Sequence, residues 1–182
     1  VFRASLRRNK DHAHHVARAR AAICRLHICS HRLGKGIELR LAVNLSPAQL
    51  SYAEIVEEVQ EALGRSGLPP QALVLEVTES VMITEPELAL ATLRRLRSLG
   101  VRVALDDFGT GYSSLSLLQQ FPLQRIKIDR AFVQGVADNP NDRSLVRTIV
   151  AMGRSLGLDI VAEGVESVHQ LQVLSDLGCN KA

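Results

Sequence analysis

Five short apolar runs, each closing on a polar or charged residue, punctuate the chain: Leu39 to Asn44, Leu73 to Glu76, Val101 to Asp107, Ile126 to Asp129 and Leu158 to Glu163. Ile37, Leu39, Leu41 and Val43 alternate with other residues, the period of a strand. Leu73-Val74-Leu75-Glu76-Val77 is nearly continuous, as in a strand covered on both faces. Between the runs the apolar spacing lengthens to that of helices. Stripes formed by Ile55, Val56, Val59 and Leu63, and by Leu88, Leu93, Leu96 and Leu99, predict two of them. Ser51 with Glu54, and Thr84 with Glu87, have capping-box spacing ahead of these stripes, while Gly64, Gly67, Pro69-Pro70 and Gly100 end them. Further helices are expected over 115–120, about 143–156 and 168–177, and Gly178-Cys179-Asn180 reads as the start of a sixth strand. Val16, Ala19, Ile23 and Leu26 predict an amphipathic helix earlier in the chain.

Regular alternation of strand and helix predicts an α/β fold with a parallel sheet and right-handed crossovers. In such folds the chemistry gathers at the strands' carboxyl ends, where the five polar residues stand, and a TIM-like (β/α) barrel accounts best for so many of them. A complete barrel takes ~250 residues. The 182 residues are therefore expected to form part of one, with residues 1–36 as a basic leader and 37–182 as the partial barrel domain.

Composition narrows the classes. At 46% hydrophobic residues the chain can bury a sizeable core. No apolar stretch approaches the ~20 residues that span a bilayer, and the Arg-rich start lacks the apolar centre of a secretory signal. A cytoplasmic protein without a membrane segment is expected. Cys24, Cys29 and Cys179 are too few for a disulfide framework and read as free thiols. Residues 1–37 hold nine Lys or Arg and one acid, whereas the remainder carries thirteen basic and eighteen acidic residues. The basic character thus belongs to the leader, which has Phe2 as its one aromatic and no nucleic-acid-binding motif, so no nucleic-acid partner is expected. Cys24, His27, Cys29 and His31 match no zinc-finger spacing.

Asn44, Glu76, Asp106, Asp107 and Glu163 offer hard oxygen ligands that suit Mg²⁺ or Mn²⁺. One acid at a strand end commonly caps a helix or faces water; five such ends together point to a cation site. Converging carboxylates repel unless cations sit among them, and two ions ~3.5–4 Å apart can polarise a phosphate and activate water. In Ile126-Lys127-Ile128-Asp129, alternation puts Lys127 and Asp129 on one face. Lys127 there either serves the chemistry or forms an ion pair with Asp129 or Glu163. The glycines of Phe108-Gly109-Thr110-Gly111-Tyr112 fit neither a Walker motif nor a dinucleotide fingerprint, and read as a mobile loop beside the acids.

Leu75-Glu76-Val77-Thr78-Glu79-Ser80 and Asp106-Asp107-Phe108-Gly109-Thr110-Gly111-Tyr112-Ser113-Ser114-Leu115 resemble the EAL domain, the bacterial cyclic di-GMP phosphodiesterase family. Val43-Asn44-Leu45-Ser46-Pro47, Lys127-Ile128-Asp129-Arg130 and Ala162-Glu163-Gly164-Val165-Glu166 extend the likeness in family order. The resemblance implies a TIM-like barrel of the EAL type that hydrolyses cyclic di-GMP to linear pGpG with two Mg²⁺ or Mn²⁺ ions. It assigns Asn44, Glu76, Asp106, Asp107 and Glu163 to the metals, and Lys127 to activation of the attacking water with Glu166 in support. It makes Glu79 the anchor of a regulatory loop spanning Phe108, Gly109, Thr110, Gly111, Tyr112 and Ser113, which is linked to homodimer contacts. The one Glu-Ala-Leu triplet, Glu61-Ala62-Leu63, falls in the helix stripe that follows Val43-Asn44-Leu45-Ser46-Pro47, so the family's namesake motif, which belongs to a strand ahead of that segment, is not represented by it. The family's first and last strands are accordingly expected to be missing, and the fragment's own turnover is in question. The alternative reading is a catalytically inactive EAL-type module that binds cyclic di-GMP or a protein partner in signalling. A Mg²⁺-dependent barrel enzyme that abstracts a proton beside a carboxylate is a third reading, against which the Asp-Asp-Phe-Gly-Thr-Gly segment argues.

Overall fold

The computed structural model describes residues 2–4, 40–109 and 115–179. The expected helix at 16–26, residues 37–39 of the first expected strand, Thr110, Gly111, Tyr112, Ser113, Ser114 and Asn180 lie outside them. The described residues fall into two compact units, one drawn from Val1–Val77 and Thr84–Val103, the other from Thr78–Ile83 and Ala104–Ala182.

In the first unit, β1 (Phe2–Ala4), β2 (Leu41–Leu45) and β3 (Leu73–Thr78) pair in parallel, with Ala4 opposite Val43 and Leu41 opposite Leu73. β1 corrects the expectation that no strand stands ahead of β2: it lies within the residues read as a leader, where three residues are too few to show a period. Leu41, Val43, Leu73 and Leu75 are all but fully buried, and so are Ala42 and Val74 on the alternate face. Burial on both faces explains the unbroken apolar text of β3. After β2 come α1 (Pro47–Leu50) and α2 (Ile55–Ser66), and α4 (Pro86–Ser98) packs against both. Leu93 and Leu96 of α4 are fully buried.

The end signals need correcting: α2 runs on through Gly64, and it is Gly67, at φ 66°, that closes it. Glu54 and Glu85 are the N-caps of α2 and α4, and neither side chain makes a capping bond. Ser51 instead closes α1, its hydroxyl bonding Pro47 O and Glu85 Oε2, and Thr84 is the last residue of α3 (Ser80–Thr84). The true capping box is Ser46 with Gln49, whose side chain accepts the Ser46 N–H at 2.8 Å.

In the second unit, β4 (Arg102–Phe108, entering it at Ala104), β5 (Arg125–Ile128) and β6 (Asp159–Ala162) are parallel, with Ala104 opposite Arg125 and Arg125 opposite Asp159. The connecting helices are α5 (Leu115–Gln120), α6 (Arg130–Gly135) and α7 (Pro140–Ser155), and α8 (Val168–Leu177) follows β6. Leu105, Ile126, Ile128, Val133, Val146 and Leu174 form its core. Ser167 and Gln170 make a second capping box, at the start of α8. Gly178 is not the opening of a strand: at φ 88° it ends α8 in the left-handed region glycine adopts without strain, and Cys179 follows outside any element. No described helix is long and apolar enough to cross a membrane.

Candidate metal centre

A regular strand sends adjacent side chains to opposite faces, so Asp106 and Asp107 should diverge. β4 breaks that rule. Leu105 pairs with Ile126 and Phe108 with Ile128, leaving two residues of β4 opposite the single residue Lys127. This is a β-bulge, the usual device for re-aiming a side chain at a strand end. Asp107 takes φ 53°, the one positive φ outside glycine among the described residues. Asp is among the few residues that visit this region at modest cost.

The bulge lets both acids meet a third. Carboxylate oxygens of Asp106, Asp107 and Glu163 all lie within 4.8 Å of one another. Asp106 is buried, Glu163 half-buried and Asp107 exposed. Lys127 reaches the same place from β5: its Nζ donates to Asp106 Oδ1 at 2.8 Å and pairs with Glu163 Oε1 at 2.6 Å, with 7% of its side chain exposed. An ammonium so enclosed is tolerated because two carboxylates face it. Of the two ion-pair partners open from the sequence, Glu163 is used; Asp129 instead accepts the Ala131 N–H as the N-cap of α6. Lost hydration raises the Asp107 pKa above the ordinary carboxylate value, and repulsion from Asp106, Asp129 and Glu163 adds to it, against the opposing pull of Lys127. The three acids supply hard oxygen donors, and one Lys leaves their negative charge in surplus, which fits a divalent cation such as Mg²⁺ or Mn²⁺.

Asn44 and Glu76 belong to the first unit, where they stand opposite each other in register near the ends of β2 and β3, Glu76 buried and Asn44 half-buried. Glu79 is buried, and its Oε1 accepts the Gly109 N–H at 2.7 Å, which fixes the residue that follows Phe108. Glu166 is not among the three converging acids. It pairs with Arg130 Nη2 at 2.7 Å, both side chains well exposed. Arg130 figured in the sequence only as part of a family motif and Phe132 not at all; they lie against Gly164 and Gly109, each a glycine soon after an acidic strand end.

A model of the EAL domain family matches residues 14–182. The chain belongs to the EAL domain family. It is 46% identical over 147 residues to the bifunctional diguanylate cyclase/cyclic di-GMP phosphodiesterase MucR of Pseudomonas aeruginosa, covering 81% of this chain and 22% of that protein. The solved PaMucR phosphodiesterase in complex with c-di-GMP superposes with a TM-score of 0.84 at 41% identity, covering 91% of this chain and 66% of that one. A manganese/cy-diGMP complex of Klebsiella pneumoniae BlrP1 gives 0.80 at 32% identity, over 92% and 42%. The chain spans about a fifth of the length of the curated relatives it matches. These likenesses place the EAL sequence in the TIM-like α/β fold class of cyclic di-GMP phosphodiesterase domains.

Proposed function

We propose that this EAL chain hydrolyses one phosphodiester bond of cyclic di-GMP, giving linear pGpG, in a reaction that requires Mg²⁺ or Mn²⁺. The observation that carries the reading is the convergence of Asp106, Asp107 and Glu163 around Lys127 at the strand ends of an EAL-family unit. These three carboxylates would hold a divalent cation. Asn44 and Glu76 are proposed as further oxygen ligands, a role the family motifs assign them, with two ions in all. Bound cations supply Lewis acidity, neutralising phosphate oxygens and lowering the pKa of water.

The protein's own groups would do the rest. Lys127 holds Asp106 and Glu163 by charge-assisted bonds, fixing their orientation. Lys127 is also proposed to orient the attacking water or to neutralise a phosphate oxygen. Glu79 anchors the start of the segment from Phe108 to Ser113 through the Gly109 N–H, and that segment is proposed to close over substrate and to serve homodimer contacts. Glu166 supports the turn after Glu163 through its pair with Arg130. Cyclic di-GMP is a cytosolic messenger, so the domain is proposed to act in the cytoplasm.

The test is chromatographic detection of pGpG from cyclic di-GMP, with Mg²⁺ or Mn²⁺ and with EDTA. Cation-dependent turnover that falls at least ~100-fold in Glu163→Gln, the scale on which removing one charge-stabilising group acts, is expected. Tight cyclic di-GMP binding without turnover under every condition would replace the hydrolase by the binding module.

A further inference from the structure

The acidic strand ends of β4 and β6 are each followed by a glycine at positive φ: Gly109 at 103° and Gly164 at 71°. Both lie against side chains of α6. A Cβ on Gly109 would sit 2.8 Å from Phe132 Cε2, and one on Gly164 would sit 2.6 Å from Arg130 Cγ and 2.9 Å from Arg130 Cδ. Such separations are below any ordinary carbon contact, so each turn can close only as bare backbone beneath its cover. Phe132 covers the turn that leaves Asp106-Asp107, and the Arg130 stem covers the turn that leaves Glu163.

Arg130 and Phe132 are themselves held. Asp129 caps α6, accepting the Ala131 N–H at 2.7 Å, and Val133 of the same helix is fully buried. The Arg130 guanidinium reaches Glu166 at 2.7 Å across Gly164. With its amide oxygen turned toward the guanidinium, Gln134 accepts from Nε and Nη2 at 2.9 Å. Gln170 completes the strap: its Nε2 donates to Gln134 O at 3.1 Å, while its Oε1 accepts the Glu166 and Ser167 N–H groups. The other side of the β4 turn is fixed by Glu79 on the Gly109 N–H.

We propose that α6 is a positioning element for the acidic cluster: Phe132 enforces the bulge geometry that aims Asp106 and Asp107 together, and Arg130 enforces the turn that presents Glu163. Neither side chain needs to touch a cation to act. The use made of the cluster rests on the hydrolase reading above; the positioning itself does not. Groups that orient metal ligands characteristically change metal affinity by about 10–100-fold when removed.

The experiment uses the full 182-residue chain and two readouts. The first, without metal, is the three-bond HN–Hα coupling and Cα chemical shift of Asp107, which report its left-handed φ. The second is calorimetric titration with Mn²⁺. Phe132→Ala is expected to lose the left-handed signature of Asp107 and to weaken Mn²⁺ binding by about tenfold or more. Phe132→Leu, which keeps apolar bulk without the ring edge and so preserves the fold, is expected to show the same loss of signature. Arg130→Ala should weaken Mn²⁺ by a similar factor, whereas Arg130→Lys, which keeps the stem over Gly164, should recover most of it. Ala131→Gln, an exposed change on the same helix, should alter neither readout. An Asp107 signature unchanged in both Phe132 variants overturns the proposal, as does an Arg130→Lys variant no better than Arg130→Ala. A wild-type chain that takes up no Mn²⁺ defeats the hydrolase reading, while the Asp107 coupling still decides the role of α6.

Discussion

Asp107 is the residue on which the cluster turns, since it is exposed, left-handed and crowded by three other acids. Its raised pKa means that the folded chain binds a proton more readily than the unfolded one. The stability this gives is fully present below the unfolded pKa and is lost as pH rises through the folded pKa. Asp107→Asn removes that loss, and Asn tolerates the same positive φ. Urea midpoints measured without metal across about pH 3 to 8 should therefore shift in favour of the variant as pH rises through and above the carboxylate range. A constant difference between the two proteins would refute the linkage. The acids themselves were legible in the sequence as strand-end residues. Their convergence was not, because it depends on an extra residue in β4 that no hydrophobic period reveals.

At the scale of elements, patterning works where burial is periodic. α5 and α8 occupy 115–120 and 168–177, the spans expected of them, and β2 to β6 fall within two or three residues of the apolar runs. It fails where short polar patterns recur without their context. Ser51 with Glu54 has the letters of a capping box, yet Ser51 serves the end of α1, whereas Ser167 with Gln170 is a box in fact. The two serines should therefore differ. Ser167→Ala is expected to cost ~1 kcal/mol, the usual loss for an N-cap. Ser51→Ala should stay within ~0.5 kcal/mol, as exposed positions do. Equal losses in chemical denaturation would mean that the cap geometry at α8 contributes nothing. α6 escaped notice for a different reason: its hold on Gly109 and Gly164 is a matter of contact alone.

For the molecule as a whole, the Lys127 ammonium stands among groups that would otherwise repel. A domain is stable by only ~5–15 kcal/mol, so one buried charge can decide much of the total. Lys127→Met leaves Asp106 and Glu163 facing each other without their cation, a change that characteristically costs ~3–5 kcal/mol. Calorimetric unfolding at neutral pH should show that loss in EDTA and a partial recovery in Mn²⁺, with a larger metal-induced rise in Tm than the wild type shows. An equal rise in both proteins would separate the cation from the Lys127 cluster. Family membership was legible at this scale because the motif segments occur in order along the chain, each fixed by chemistry rather than by periodicity. β1 was not, since its three residues take their strand state from pairing with β2.

The bulge in β4 also changes what kind of mutation the centre can bear. Parity governs a regular strand: odd positions look one way and even positions the other. Two consecutive letters share a target here only because the strand carries one residue more than its neighbour between Leu105 and Phe108. The arrangement is therefore written in a count as well as in an alphabet. An in-frame deletion of a single codon in this stretch would keep an acid in the sequence and restore perfect pairing with β5, while dissolving the partnership of the two acids. Length, more than identity, is the inheritance that this stretch must preserve.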